Sequence, residues 1–318
     1  MYSKNARGAS ERKSNTHNKL GNLRYSYKRH IKEKLIEMLL LLAAFFSVLI
    51  TFAIIYMLVK ESIVFFQQVS VWEFLTSTQW TPLFDDAHYG ILPLVSGTVV
   101  SSAVALLVAL PLGTIIAIYL SEFASFTVRE IAKPFLELLG GIPTIVYGYF
   151  ALLFVTPLLQ MIFPNLPGFS LLSAGLVMGI MIIPYVSSMT EDAMRSVPMH
   201  LREGSYAMGA TRLQTAIKVV MPAAFSGIAA AYILGISRAV GETMVVAIAA
   251  GMQPNLTWNP MEQAATITAY IVQVSLGDLP HGSIGYQTIF AAGLTLLLIT
   301  LIFNILGHLL RKRYREMY

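Results

Sequence analysis

No cysteine occurs in the 318 residues, which removes disulfides, thiolate zinc sites, iron–sulfur clusters and cysteine nucleophiles at once. Charge is scarce too: Asp, Glu, Lys and Arg make up 12% of the chain, against about 25% in soluble domains. With 56% hydrophobic residues, too few charges remain to coat a water-facing surface, and the composition is that of an integral membrane protein. The histidines offer no metal site. His17, His30, His88, His200, His281 and His308 are scattered, with no H-E-x-x-H or i,i+4 pairing. No G-x-x-x-x-G-K-[ST] is present either, so ATP cannot be held here by a P-loop.

What the chain does have is apolar runs of the roughly 20 residues that a membrane helix needs. Leu39 to Val59 is the first and about Leu92 to Leu120 the second. The uncharged stretch from Leu138 to Thr190 is too long for one crossing, and FPNLPG at Phe163 to Gly168 divides it into two. The fifth run is Val219 to Gly251 and the sixth about Ile284 to Leu310. The expected architecture is all-α with six transmembrane helices. A basic, disordered tail covers 1–34, a first helix 35–60, an extracytoplasmic loop 61–90, a five-helix core 91–310 with an inner loop at 190–222, and a basic C-terminus 311–318.

Orientation follows from the cations, because cytoplasmic loops are enriched in Lys and Arg. All but two of the 22, Lys60 and Arg238, fall in the N-terminal tail, the second-to-third and fourth-to-fifth loops and the C-terminus. The opposite loops carry Glu61, Glu73, Asp85, Asp86, Glu262 and Asp278 with no Lys or Arg. Both termini are therefore expected in the cytoplasm. The first apolar run is longer than a signal-peptide core and lacks a small-residue cleavage site, so it reads as a retained anchor. Its basic tail suits anionic lipid, not nucleic acid.

The inner loop from Thr190 to Ala224 has its own grammar. Ser196 can cap a short helix with Pro198 in its first turn, running to about Met208. Gly209 supplies a left-handed turn, and Thr211 caps a second helix up to Pro222. Two short helices meeting at a glycine elbow form a knob suited to a partner's groove; the plainer alternative is an amphipathic connector. The spacing resembles the signature loop of ABC importer permeases, E-A-A, three residues, G, nine residues, I-x-L-P. Glu203, Gly204, Ser205, Gly209, Val219, Met221 and Pro222 keep every interval, with small residues for both alanines and Val and Met for Ile and Leu. The resemblance implies a type I ABC importer permease fold whose knob receives motion from a separate ATPase, which would hold the ATP and Mg.

One feature of the fifth run stands out: Arg238 and Glu242, the only ionised residues within it after Val219. An Arg at a helix centre costs about 2.5–3.5 kcal/mol on insertion scales, and on a continuous helix the i,i+4 spacing would let the two neutralise one another. Such a pair either fixes helix packing or faces a polar pathway. A guanidinium fork matches tetrahedral oxyanions, and the carboxylate could accept from a protonated phosphate or hold the arginine at rest. Gly235 and Gly241 leave room for close helix approach.

LGISRAVGETMVVAIAAG, Leu234 to Gly251, resembles the fifth-span signature of the PstC family of phosphate-importer permeases. The stretches Tyr89 to Ala124 and Leu136 to Phe150 agree with that family, and the likeness runs from about Trp80 to the C-terminus. It implies a multi-pass permease of a prokaryotic cell membrane that moves inorganic phosphate by alternating access and has no enzymatic activity of its own. The implied partners are a second, PstA-like permease, a PstB-like ATPase dimer and a PstS-like extracytoplasmic binding protein. Arg238, Glu242 and Thr243 become pathway residues. Gly140, Gly141, Pro143 and Tyr147 of GGIPTIVY read first as packing residues and second as pathway candidates. Molybdate or sulfate as cargo, an ion-driven secondary transporter using Arg238 and Glu242 as a proton relay, and a membrane scaffold remain alternatives.

Overall fold

A computed structural model describes residues 4–313 except Leu83, Asp85, Asp278 and His281, with no side chains for residues 4–31, 310, 311 and 313. The tail cations before residue 32, Asp85, Asp278, His17, His30, His281 and the cations Arg311, Arg313 and Arg315, weighed above, therefore lie outside what can be described. The chain divides into two compact units, residues 1–57 and 58–318. No β-strand forms among the described residues; one isolated bridge joins Trp80 to Tyr89.

The first unit is helical. α1 runs Lys4–Phe66, so it includes residues that composition had assigned to a disordered tail. What the tail lacks is a stop: there is no proline before Pro82. Its apolar part, from Lys32 onward, is long enough to span a bilayer.

In the second unit the chain passes through α2 (Val71–Thr76) to α3 (Leu92–Ile118), which closes in a π-helical turn, Tyr119–Phe123. α4 (Phe126–Gly141) is amphipathic, with Ser125 as its N-cap. A span follows in two pieces, α5 (Thr144–Phe150) and α6 (Thr156–Ile162), and then α7 (Leu171–Arg195). The division expected at FPNLPG is present, but Leu138 to Gly141 belong to α4. Pro143 biases Ile142 away from helical backbone and turns the chain there.

The fifth run departs most from expectation. α8 (Met199–Ala207), α9 (Arg212–Thr215) and α10 (Met221–Ala223) lead to α11 (Phe225–Val240), and the chain bends by 77° between the segments 212–223 and 225–240. Pro222 cannot donate to the preceding turn, which widens into a π turn at Ala216–Val220. α11 then stops, and α12 (Met244–Ala249) and α13 (Ile267–Ser275) follow as short, separate helices. α14 (Ile284–Arg313) completes the fold. Among the described residues, five helices are long and apolar enough to cross a membrane, six if the bent pair counts as one span.

α3 and α7 form the centre, and α11 packs on α7, α3 and α14. Small residues permit the close approach. A Cβ on Gly175 would come within 2.7 Å of Val104, and one on Gly179 within 2.8 Å of the Ala105 carbonyl. On the opposite side from the knob, Phe65, Phe74, Trp80 and Tyr270 meet edge to face at 5.1–6.2 Å between successive ring centroids and tie residues 58–91 to α13.

Gly179→Leu should push α3 from α7 and lower stability by about 1–3 kcal/mol. Gly204→Ala, where no atom lies within 4 Å of the added carbon, should be neutral. Thermal unfolding of the detergent-solubilised variants checks both.

Candidate functional site

Arg238 sits in the last turn of α11, where a cation favours the helix C-terminus. The helix gives way after Gly241, whose N–H still reaches the Ser237 carbonyl at 3.1 Å, while the Glu242 N–H shortens to an i→i−3 bond with the Ala239 carbonyl at 3.3 Å. Glu242 is the next residue and is buried at 8% exposure. Its Oε1 accepts from the backbone N–H groups of Met244 at 3.1 Å and Val245 at 3.3 Å, so its carboxylate starts α12. Thr268 of α13 donates to the Glu242 carbonyl at 2.6 Å. The expected i,i+4 face is therefore absent: α11 ends at Val240, before Glu242, and the two residues do not pair. Thr243, beside them, spends its hydroxyl on the Gly241 carbonyl at 3.3 Å.

Arg238 instead lies over an aromatic ring. Its Cζ is 4.0 Å from the centroid of Tyr185 on α7, a cation–π contact, and its Nε is buried without a hydrogen-bond partner. Tyr185 was absent from the sequence reading; only the fold brings it under the guanidinium.

The residues of GGIPTIVY gather around the same ring. Tyr185 donates to the Gly140 carbonyl at 3.1 Å, and buried Tyr147 donates to the Leu139 carbonyl at 2.8 Å. Both hydroxyls thus reach carbonyls in the last turn of α4, where that of Leu139 also takes the Ile142 N–H at 3.4 Å. Gly140, Gly141 and Tyr185, with Pro184, Ser188 and Glu137 among others, line a cavity of about 390 Å³. Pro143 is exposed at the start of α5.

The knob forms with one shift. Ser196 closes α7 instead of opening α8, its hydroxyl donating to the Ala193 carbonyl at 2.7 Å, and Pro198 takes the cap position. Gly209 turns at φ 82°. Thr211 and Gln214 form a reciprocal capping box. Ser205 and Thr215 share a hydrogen bond of 2.9 Å that holds α8 to α9. Glu203, Gly204, Gly209 and Pro222 are exposed, with Val219 and Met221 half-buried at the base.

A family model, "Binding-protein-dependent transport system inner membrane component", matches residues 109–316. The chain belongs to this family. Its relatives make it a PstC-type permease. "Probable ABC transporter permease protein YqgH" of Bacillus subtilis is 39% identical over 77% of this chain and 79% of its own. "Phosphate transport system permease protein PstC" of Mesorhizobium japonicum is 34% identical over 71% and 74%. Among solved structures, a bacterial alginate ABC transporter with its periplasmic protein aligns with TM-score 0.61 and 18% identity, covering 88% of this chain and 96% of that one. The inward-facing MetNI methionine transporter aligns at 0.53 and 20%, over 71% and 95%. These two share the fold. The permease is accordingly a multi-pass inner-membrane protein of a prokaryote, not an enzyme, from a family whose ATP hydrolysis belongs to a separate subunit.

At its knob end the permease carries ion pairs that sequence reading took only as topology signals. Glu191 of α7 is fully buried and meets Lys133 at 2.8 Å, Arg195 at 3.4 Å and Arg129 at 3.6 Å; Lys133 also meets Asp192 at 2.7 Å. Burial works against the Lys133 ammonium, but the hydrogen bonds to Asp192 and Glu191 and their charges outweigh it and raise its pKa. Arg202 of α8 meets Glu122 at 2.9 Å, also buried. The signal available in the sequence was acid at the ends of two apolar runs, Glu122 and Glu191, among so many cations.

Because Glu242 acts as a cap, Glu242→Ala should lower stability by about 0.5–2 kcal/mol. Glu242→Gln, which keeps an acceptor oxygen, should lose much less. Equal loss in both, read by thermal unfolding, would mean that the negative charge matters and not the cap.

Proposed function

We propose that the permease is one half of the membrane channel of a phosphate importer. It has six spans, the bent pair counting as the fifth, and both termini are in the cytoplasm. Arg238 carries this reading. An arginine in the membrane domain is expensive, and this one has no carboxylate partner among the described residues. It rests on a ring that a stronger, charged ligand can displace, and its fork fits two oxygens of a phosphate. The sequence likeness to permeases named for phosphate transport supports the cargo.

Around this site the assembly has three further parts. A PstA-like permease supplies the other half, a PstS-like protein delivers phosphate to the acidic outer loops, and PstB-like ATPase subunits carrying ATP and Mg dock on the α8–α9 knob. Alternating access then exposes Arg238 to either side in turn. Glu242 and Thr243 keep the helix broken beside it, and Gly140, Gly141 and Tyr147 shape the wall.

Arg238→Ala should abolish labelled phosphate uptake in proteoliposomes while the four components still co-purify. Arg238→Lys, which keeps charge without the fork, should lose on the order of tenfold. Uptake unaffected by Arg238→Ala returns the residue to packing, and stronger competition by sulfate or molybdate than by phosphate reassigns the cargo. At the knob, Glu203→Lys or Gly209→Val should release the ATPase subunit or uncouple hydrolysis from uptake. Intact binding and coupling in both would remove the docking assignment.

A further inference from the structure

Arg202 spends its donors in three directions. Nε donates to both carboxylate oxygens of Glu122 at 3.3 and 3.2 Å, and Nη2 to Oε1 at 2.9 Å. Nη1 donates to the Val197 carbonyl at 2.6 Å and Nη2 to the Met194 carbonyl at 2.8 Å. One guanidinium therefore joins α8, on which it sits, to the C-terminal end of α7 and to the π turn that closes α3. Arg202 and Glu122 are both buried, while the neighbouring Glu203 and Gly204 face outward. The short helix has one side toward a partner and the other toward the spans.

The same π turn is gripped again. Arg129 of α4 donates from Nε and Nη2 to the Leu120 carbonyl at 2.8 and 2.6 Å and from Nη2 to that of Ser121 at 3.3 Å, and it lies 3.6 Å from Glu191 of α7. Glu191 shares α7 with Tyr185, the ring beneath Arg238. A buried ion pair is weak evidence for stability, since apolar residues of similar volume often serve as well. Its geometry is directional, however, and a displacement of α8 cannot leave α3 and α7 behind without stripping a buried charge.

We infer that Glu122 and Arg202 are the internal linkage by which movement of the knob reaches α3 and α7, and are thus positioning residues for transport. The inference rests on the reading of the knob as the ATPase docking element. It differs from that reading in concerning the buried side of α8, which faces the spans.

The test uses the four-component complex in proteoliposomes, with Glu122→Gln, Arg202→Gln and the double variant. ATPase co-purification, hydrolysis rate and phosphate moved per ATP are measured. Each single variant should keep the ATPase subunit and its hydrolysis but move about tenfold less phosphate per ATP. The double variant should fall no further than the worse single, as expected of one shared interaction. Phosphate per ATP at the wild-type value in the singles, or losses that multiply in the double, overturns the linkage. Glu122→Asp and Arg202→Lys keep charge with altered reach and guard against misfolding: they should assemble and still lose phosphate per ATP. Failure of all variants to assemble overturns the linkage in favour of a folding role alone. If Glu203→Lys leaves docking and coupling intact, the docking reading falls by that result, whatever the Glu122 variants do.

Discussion

A helix interrupted within hydrocarbon frees N–H and C=O groups that water cannot reach, so it can stop only where protein groups take them up. The stretch from Ser237 to Val245 meets that condition at most of its freed groups. Gly241 bonds back to Ser237, Glu242 accepts from Met244 and Val245 through its side chain, and its own carbonyl takes the Thr268 hydroxyl. On the neighbouring wall, Ile267 N–H is met by the Thr98 hydroxyl, and the last carbonyls of α4 by two tyrosines. Without these bonds α11 would have to continue, and Arg238 would lie in mid-helix instead of at a helix end.

Much of the fold was legible because it depends on short-range signals. Apolar runs marked the five long apolar helices among the described residues, FPNLPG fell between two of them, and Gly209 with Thr211 gave the elbow, since a left-handed glycine and a threonine cap are local requirements. The break after Val240 was not legible. GETMVV contains no proline, and i,i+4 spacing implies a shared face only if the helix is continuous, which depends on Glu242 finding N–H groups and Thr268 arriving from 26 residues away. Tyr185 was missed for a related reason: an aromatic in an apolar run looks like core until Arg238, 53 positions later, is seen above it.

The cations show the same limit from another side. Counted along the chain, Arg129, Lys133, Arg195 and Arg202 serve only as a topology signal, and any position in those loops would serve it equally well. In three dimensions they surround two buried carboxylates, Glu122 and Glu191, from 58 to 80 residues away as well as from one turn along. Desolvating a carboxylate costs several kcal/mol unless neighbours replace its water. That requirement fixes the cations' positions far more narrowly than topology does, and it joins the ends of α3, α4, α7 and α8.

These two arrangements treat arginine differently, and the difference bears on transport. Arg202 is locked by a carboxylate and two carbonyls, and removing one partner of such a buried pair costs about 3–5 kcal/mol. Arg238 is held by a ring, worth about 0.5–2 kcal/mol, with one nitrogen unpaired. On the proposed reading, a cargo anion taking Arg238 would have little to displace. Had Glu242 paired with it, as even spacing on one helix suggests, the anion would have had to break that pair and then sit beside the freed carboxylate. Ending the helix between them turns Glu242 toward α12, which leaves Arg238 without a carboxylate partner among the described residues and, on the proposed reading, open to the anion.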